Sequence, residues 1–193
     1  KKVFTILQLR LLPSLIEVKN EVANKSKDHK PDVTLSYITR RGPWYHASWK
    51  GQPEKSGGVG LNIGIHFFDL LMWMFGKVEN YELHQSQKDK MAGFIELEHA
   101  RVRWFLSVDK DDLPDGLLEK GTPAFRSLTM DGKELEFSGG FTDLHTRSYE
   151  QIIAGNGYGI SEARPAVDLV TKLSSSQITT AKSDLLHPLV KQN

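Results

Sequence analysis

Asn62, His66 and Asp69 interrupt an otherwise apolar stretch at spacings of four and three. Residues three and four apart are neighbours on a helical surface, so a helix beginning near Asn62 carries all three on one face. A neutral imidazole near pH 7 accepts a proton, and a carboxamide one turn away orients a hydroxyl. His66 and Asn62 together therefore suit proton abstraction from an alcohol. The simpler alternative is a core histidine with its hydrogen bonds satisfied and Asp69 bonded to backbone. A metal reading of His66 and Asp69 lacks a nearby second histidine, whereas catalytic zinc takes three protein ligands. The chain has no cysteine, which excludes disulfides, thiolate catalysis and cysteine-bound zinc.

A second cluster runs Arg40-Arg41-Gly42-Pro43-Trp44-Tyr45-His46-Ala47-Ser48-Trp49-Lys50. Aromatic faces stack on sugar C–H groups, an arginine fork grips a carboxylate bidentately, and a lysine meets phosphate as a point charge. The alternative is a loop whose aromatic residues plug the sheet. Gly57-Gly58-Val59-Gly60 leads into the Asn62 stretch and permits close approach of a ligand to backbone. Gly155, Gly157 and Gly159 do not have the spacing of a dinucleotide fingerprint and follow no strand, so a Rossmann-type cofactor site is absent from this reading. No Gly-x-Ser-x-Gly elbow supports a serine hydrolase.

These groups need elements to hold them. Val3 to Leu9 reads as a strand, and after Pro13 the residues Leu11, Leu15, Val18 and Val22 recur at helical spacing. Asp32 to Thr39 alternates as a strand does. Arg40 to Gly60 is rich in Gly and Pro and reads as a long loop. Ile65 to Phe75 is apolar nearly all round and stops at Gly76, as a buried helix with a glycine C-terminal signal. Tyr81 to Gln87, Gly93 to Glu98 and Arg101 to Val108 read as strands. Ser127 to Met130 and Lys133 to Phe137 flank Asp131-Gly132, the pair a type I′ hairpin favours. Thr142 to Ala154 and Ser161 to Ser176 read as helices, with Ser161 as N-cap and Glu162 in the first turn. The order predicts an α+β fold: a mostly antiparallel open sheet with helices covering one face.

With 193 residues, 39% hydrophobic and 25% charged, the chain is of globular composition and reads as one domain, 1–193. A net charge of +1 gives no field for nucleic acid or an anionic membrane. No run approaches the ~18 apolar residues of a membrane span, and the start, Lys1-Lys2-Val3-Phe4, opens no signal-peptide core. We expect a cytoplasmic protein, and the abrupt start without Met is expected of part of a longer one.

The run Ser56-Gly57-Gly58-Val59-Gly60-Leu61-Asn62-Ile63-Gly64-Ile65-His66-Phe67-Phe68-Asp69 resembles the catalytic edge of the second domain in the glucose-fructose oxidoreductase / inositol dehydrogenase / MocA family. Gln8-Leu9-Arg10, Arg41-Gly42-Pro43-Trp44-Tyr45, Phe141-Thr142-Asp143-Leu144-His145-Thr146-Arg147-Ser148-Tyr149-Glu150 and Gly155-Asn156-Gly157 resemble the subgroup that oxidises UDP-N-acetylglucosaminuronic acid at its 3-hydroxyl. The likeness spans roughly Val3 to Leu173. It implies the substrate and oligomerisation domain of an NAD-dependent nucleotide-sugar dehydrogenase, with NAD held mainly by an N-terminal domain and subunits meeting through the sheet face. It further implies that the domain is inactive alone. His66 would accept the hydroxyl proton, Asn62 would bond the sugar, and Arg41 and Tyr45 would grip the uronate. Trp44, Lys50 and Arg10 complete the implied substrate set. Two rivals are a non-catalytic sugar-binding module and a metal-dependent hydrolase using His66 and Asp69.

Overall fold

A computed structural model describes residues 1–24, 29–121, 124–135, 143–180 and 184–190. At its centre lies β1, Asp32–Thr39, parallel to β4, Ala100–Ser107, and antiparallel to β5, Ala124–Met130. Beyond β4 come β3, Lys90–Leu97, and β2, Val78–Ser86, both antiparallel; beyond β5 a two-residue β6, Lys133–Glu134, closes the order β2-β3-β4-β1-β5-β6. One parallel pair among antiparallel ones is the mixed α/β form of the expected architecture. Asp131 and Gly132 both take positive φ, 52° and 77°, as the β5–β6 turn demands.

Strand alternation sorts the side chains onto two faces. Leu35, Tyr37, Trp104, Leu106 and Leu128 share the face that meets the helices α1, Pro13–Asn24, α4, Ile65–Phe75, and α6, Ile160–Ser175. Between β1 and α4 stand two short helices, α2, Pro43–Ala47, and α3, Pro53–Ser56; α5, Leu144–Ile153, and α6, Ile160–Ser175, follow the sheet. Phe68 of α4 meets Trp104 edge-on at 5.1 Å, and Phe67 tilts against Tyr37 at 4.7 Å. Burying each such side chain contributes about 2–3 kcal/mol. The opposite face carries Ser36, Ile38, Ala92 and Phe105, and residues 184–190 cross it. The expectation of a sheet bare on one side is thus amended: the C-terminal segment covers part of that side.

Three readings are corrected. Val3 to Leu9 forms no strand. Phe4 makes a single bridge to Gly159, and Gln8–Leu11 is a 3-10 turn, because this segment lies among the helices, where no strand edge offers it a ladder. Within Arg40 to Gly60, Pro43 and Pro53 open helical turns instead of preventing them, since proline's missing N–H is no loss in a first turn. The cap of α6 is Gly159; Ser161 lies inside the helix and its hydroxyl bonds the Glu162 carboxylate at 2.8 Å. Phe137, Phe141 and Thr142 lie outside the described residues.

Candidate active site

α4 is extended at its start by one wide π turn, Gly60–Gly64. A side chain on Gly60 would sit 2.9 Å from Val170 of α6, and one on Gly64 would sit 2.5 Å from Leu106 of β4. The two glycines therefore seat this turn against both α6 and the sheet, and π turns of this kind recur at functional sites. His66 follows in the next turn and is half-buried. Among the described residues neither of its ring nitrogens has a hydrogen-bond partner. Burial lowers its pKa below the ordinary 6.5, the charge of Asp69 opposes that shift, and His145 of α5 adds to it. The imidazole is consequently neutral at pH 7, with a free lone pair, as a proton acceptor must be.

Asp69 is 3% exposed and is gripped by Arg10 in a fork, Nε to Oδ2 at 2.9 Å and an Nη to Oδ1 at 2.6 Å. The same guanidinium lies 5.0 Å from the Tyr158 ring centre. Sequence reasoning had placed Arg10 with the substrate and, in its plainest form, Asp69 with backbone; the structure pairs the two with each other. Two of the five guanidinium N–H donors are spent on that carboxylate.

Asn62 lies in the wide turn, and its amide Nδ2 donates to the Lys50 carbonyl at 3.0 Å. It also comes within hydrogen-bonding reach of the Tyr45 hydroxyl. Through these contacts the carboxamide ties the α2 loop to the start of α4. Tyr45 is 3% exposed, so it underlies the loop and does not stand at its surface as expected for a group gripping substrate. Burial pushes its pKa up, while the charge of Arg41, 6.0 Å from its ring centre, pulls it back. Arg41 Nε is buried and lacks a partner among the described residues, although the Arg41 backbone N–H is bonded to the Val108 carbonyl. A buried donor without an acceptor is costly unless a ligand supplies one. At the loop's surface Trp44 and Trp49 are 58% and 56% exposed, and Lys50 Nζ stands 5.7 and 6.0 Å from their ring centres.

The fold thus brings Arg41, Trp44, Tyr45, Lys50, Asn62 and His66 to one end of α4. Arg10, held by Asp69 one turn further along α4, lines a groove of about 790 Å³ between α4, α6 and β2 that also includes Asp69, Trp73 and Arg164. Among the described residues no three metal-ligating side chains converge, and no helix is long and apolar enough to cross a membrane. Two polar residues had been given no role: His145, whose charge acts on His66, and Gln8, whose Oε1 is buried without a partner among the described residues. Both sit in motifs quoted above, which was the available signal; their distance from His66 along the chain hid it.

Residues 32–111 match the oxidoreductase family C-terminal alpha/beta domain of the glucose-fructose oxidoreductase / inositol dehydrogenase / MocA group. Over 98% of its length the chain is 44% identical to the WlbA (WbpB) dehydrogenase of Thermus thermophilus solved with NAD and α-ketoglutarate, with a TM-score of 0.91. The same dehydrogenase solved with NAD and UDP-GlcNAcA is 43% identical, again over 98% and with a TM-score of 0.91. The WlbA dehydrogenase of Bordetella pertussis, in complex with NADH and UDP-GlcNAcA, is 19% identical over 89% of this chain and shares the fold at a TM-score of 0.67. The chain belongs to this oxidoreductase family and corresponds to its C-terminal domain. It spans 60% and 61% of the two Thermus chains and 60% of the Bordetella one.

Proposed function

We propose that this chain is the substrate-binding part of an NAD-dependent dehydrogenase that oxidises the 3-hydroxyl of a UDP-N-acetyl-hexuronic acid or a related nucleotide sugar. The observation that carries the reading is His66: a half-buried, neutral imidazole without a hydrogen-bond partner among the described residues, one turn from Asn62, which bonds the loop carrying the unpartnered Arg41 Nε and two exposed tryptophans. The 44% identity to a dehydrogenase solved with NAD supports the class. None of the described residues forms a cradle for a dinucleotide: Gly57 is the left-handed cap that ends α3, and neighbouring side chains crowd the space beside Gly60 and Gly64. NAD would be held by the part of the parent protein that corresponds to the remainder of those relatives, and the 193-residue chain alone is inactive. When bound, that cofactor supplies the hydride acceptor.

This chain's residues do the rest. The proton of the sugar hydroxyl passes to the free imidazole nitrogen of His66 as the carbon–oxygen bond gains its second order. Arg41 offers Nε to the uronate carboxylate, Trp44 and Trp49 flank the nucleotide or sugar, and Lys50 faces phosphate. Asn62 holds the loop and the sugar to a common frame. Subunits associate through what residues 184–190 leave uncovered on the second sheet face, and light scattering finding a monomer would refute that. In the full-length protein, His66→Asn is expected to lower kcat by about 10²–10⁴-fold with KM for the UDP-sugar nearly unchanged. Turnover retained in that variant overturns the assignment. A non-catalytic sugar-binding module would bind the same UDP-sugars yet reduce no NAD.

A further inference from the structure

The Arg10–Asp69 pair lies 59 residues apart in sequence and is the most enclosed ion pair near the site, with side chains 11% and 4% exposed. Desolvating two charges is expensive, and replacing such a pair by apolar groups often costs no stability. Stability alone therefore does not account for it. Its position does: Asp69 stands three residues after His66 on α4, so its charge falls on the imidazole.

We infer that Arg10 is a positioning residue which neutralises Asp69 and so keeps His66 in its uncharged, proton-accepting form. The inference rests on the reading of His66 as the proton acceptor. A bare carboxylate one turn away works against burial and favours the protonated imidazole, which accepts nothing. The fork geometry serves this purpose, because two parallel N–H···O bonds fix the cation against both carboxylate oxygens. Tyr158 backs the guanidinium from the other side, and the Glu162 backbone carbonyl lies 3.5 Å from it.

The other charged groups around this helix are accounted for. His145 of α5 acts on His66 with the sign of a cation. On α6, Glu162 feels Arg10, and Arg164 and Asp168 line the groove beyond it. Lys19 of α1 lies 4.7 Å from the Trp73 ring centre, near the far end of α4. From the α2 loop, Arg41 faces Tyr45, and Lys50 faces the two tryptophans. Of all these, Asp69 is the acid that bears on His66, and Arg10 is the cation set directly on it.

The test is the ring titration of His66, followed by NMR in the full-length protein without substrate. Arg10→Gln is expected to move the His66 titration to higher pH, Asp69→Asn to lower pH, and the double variant to bring it back between them. Single variants that shift the titration in the same direction, or leave it in place, overturn the inference. Should Arg10→Gln fail to fold, the double variant read against Asp69→Asn decides: an upward shift on removing Arg10 sustains its role, and no shift or a downward one ends it. Turnover adds a second readout. Arg10→Gln is expected to lose rate on the acid side and recover it as pH rises, whereas a purely structural role lowers the rate equally at every pH. The titration is read without catalysis, so a His66→Asn enzyme that still turns over would sink the functional reading and leave this ordering to be judged separately.

Discussion

Two histidines lie on opposite faces of one sheet, and their surroundings assign them opposite work. His187, 2% exposed, is spent: its Nδ1 accepts the Leu189 N–H at 3.1 Å, which leaves Nε2 as the donor to Ser36 Oγ at 3.1 Å, and its ring stacks on Phe105 at 5.5 Å. Because Nε2 carries the proton, this Ser–His contact cannot activate the serine, despite its resemblance to half of a hydrolytic triad. Among the described residues His66 has no such partners, and it is partly open to solvent. Burial makes both rings harder to protonate, pushing His187 down to about 4 with the help of Arg103. A low imidazole pKa thus separates nothing. The unspent nitrogen does.

Exchanging the two replacements breaks the comparison most directly. His66→Asn should cost turnover on the scale given above while leaving the melting temperature within a few degrees of the parent, since it breaks no hydrogen bond among the described residues. His187→Ala should do the reverse, losing about 2–4 kcal/mol of stability as a buried ring is removed and the buried Ser36 hydroxyl is orphaned, with kcat near the parent's. Urea unfolding alongside NADH formation reads both. If His187→Ala impairs turnover before it impairs folding, the division of labour is wrong.

Acid sharpens the contrast. The folded pKa of His187, about 4, lies below the ordinary 6.5, so the unfolded chain takes up the proton first. Its contribution is complete above pH 6.5 and is lost as pH falls towards 4, at ~1.4 kcal/mol per unit, or about 3 kcal/mol in all. The urea midpoint should fall through that window in the parent and more gently in His187→Ala. Amide exchange at Leu189 and Val190 should rise with it, since the proton ejects the ring that holds residues 184–190 to the sheet.

How much of this is written locally follows from what holds each part. Asp32–Thr39 and Ile65–Phe75 were legible to the residue, because alternation marks a half-buried strand and Gly76 ends an apolar run. The His66 and Asn62 spacing was legible for the same reason, one turn of one helix. Val3 to Leu9 had the composition of a strand but no strand to pair with, which is information held elsewhere in the chain. Arg10 and Asp69, 59 positions apart, and Ser36 and His187, 151 apart, are contacts that only the tertiary fold creates. Leu-Leu-His-Pro-Leu-Val around His187 has no spacing to interpret. Spent and unspent polar groups look alike until their partners arrive.

The same distinction holds between two arginines, with smaller consequences. Arg10 is forked onto Asp69, and Arg41 keeps a buried Nε in reserve. Arg41→Lys retains the charge and loses the fork, so affinity for a UDP-sugar bearing the uronate should drop about tenfold, the ~1.4 kcal/mol scale of a charge-assisted hydrogen bond. The corresponding sugar without the carboxylate should lose little, and equal losses would place Arg41 away from the uronate. Trp49→Ala should have the smallest effect. The ring is more than half exposed and its contact with Lys50 is worth about 0.5–1 kcal/mol, so folding should be untouched and UDP-sugar affinity lowered about two- to fivefold in calorimetry. A larger loss would make the tryptophan a stacking partner of the base in its own right, and no loss would confine recognition to the arginine.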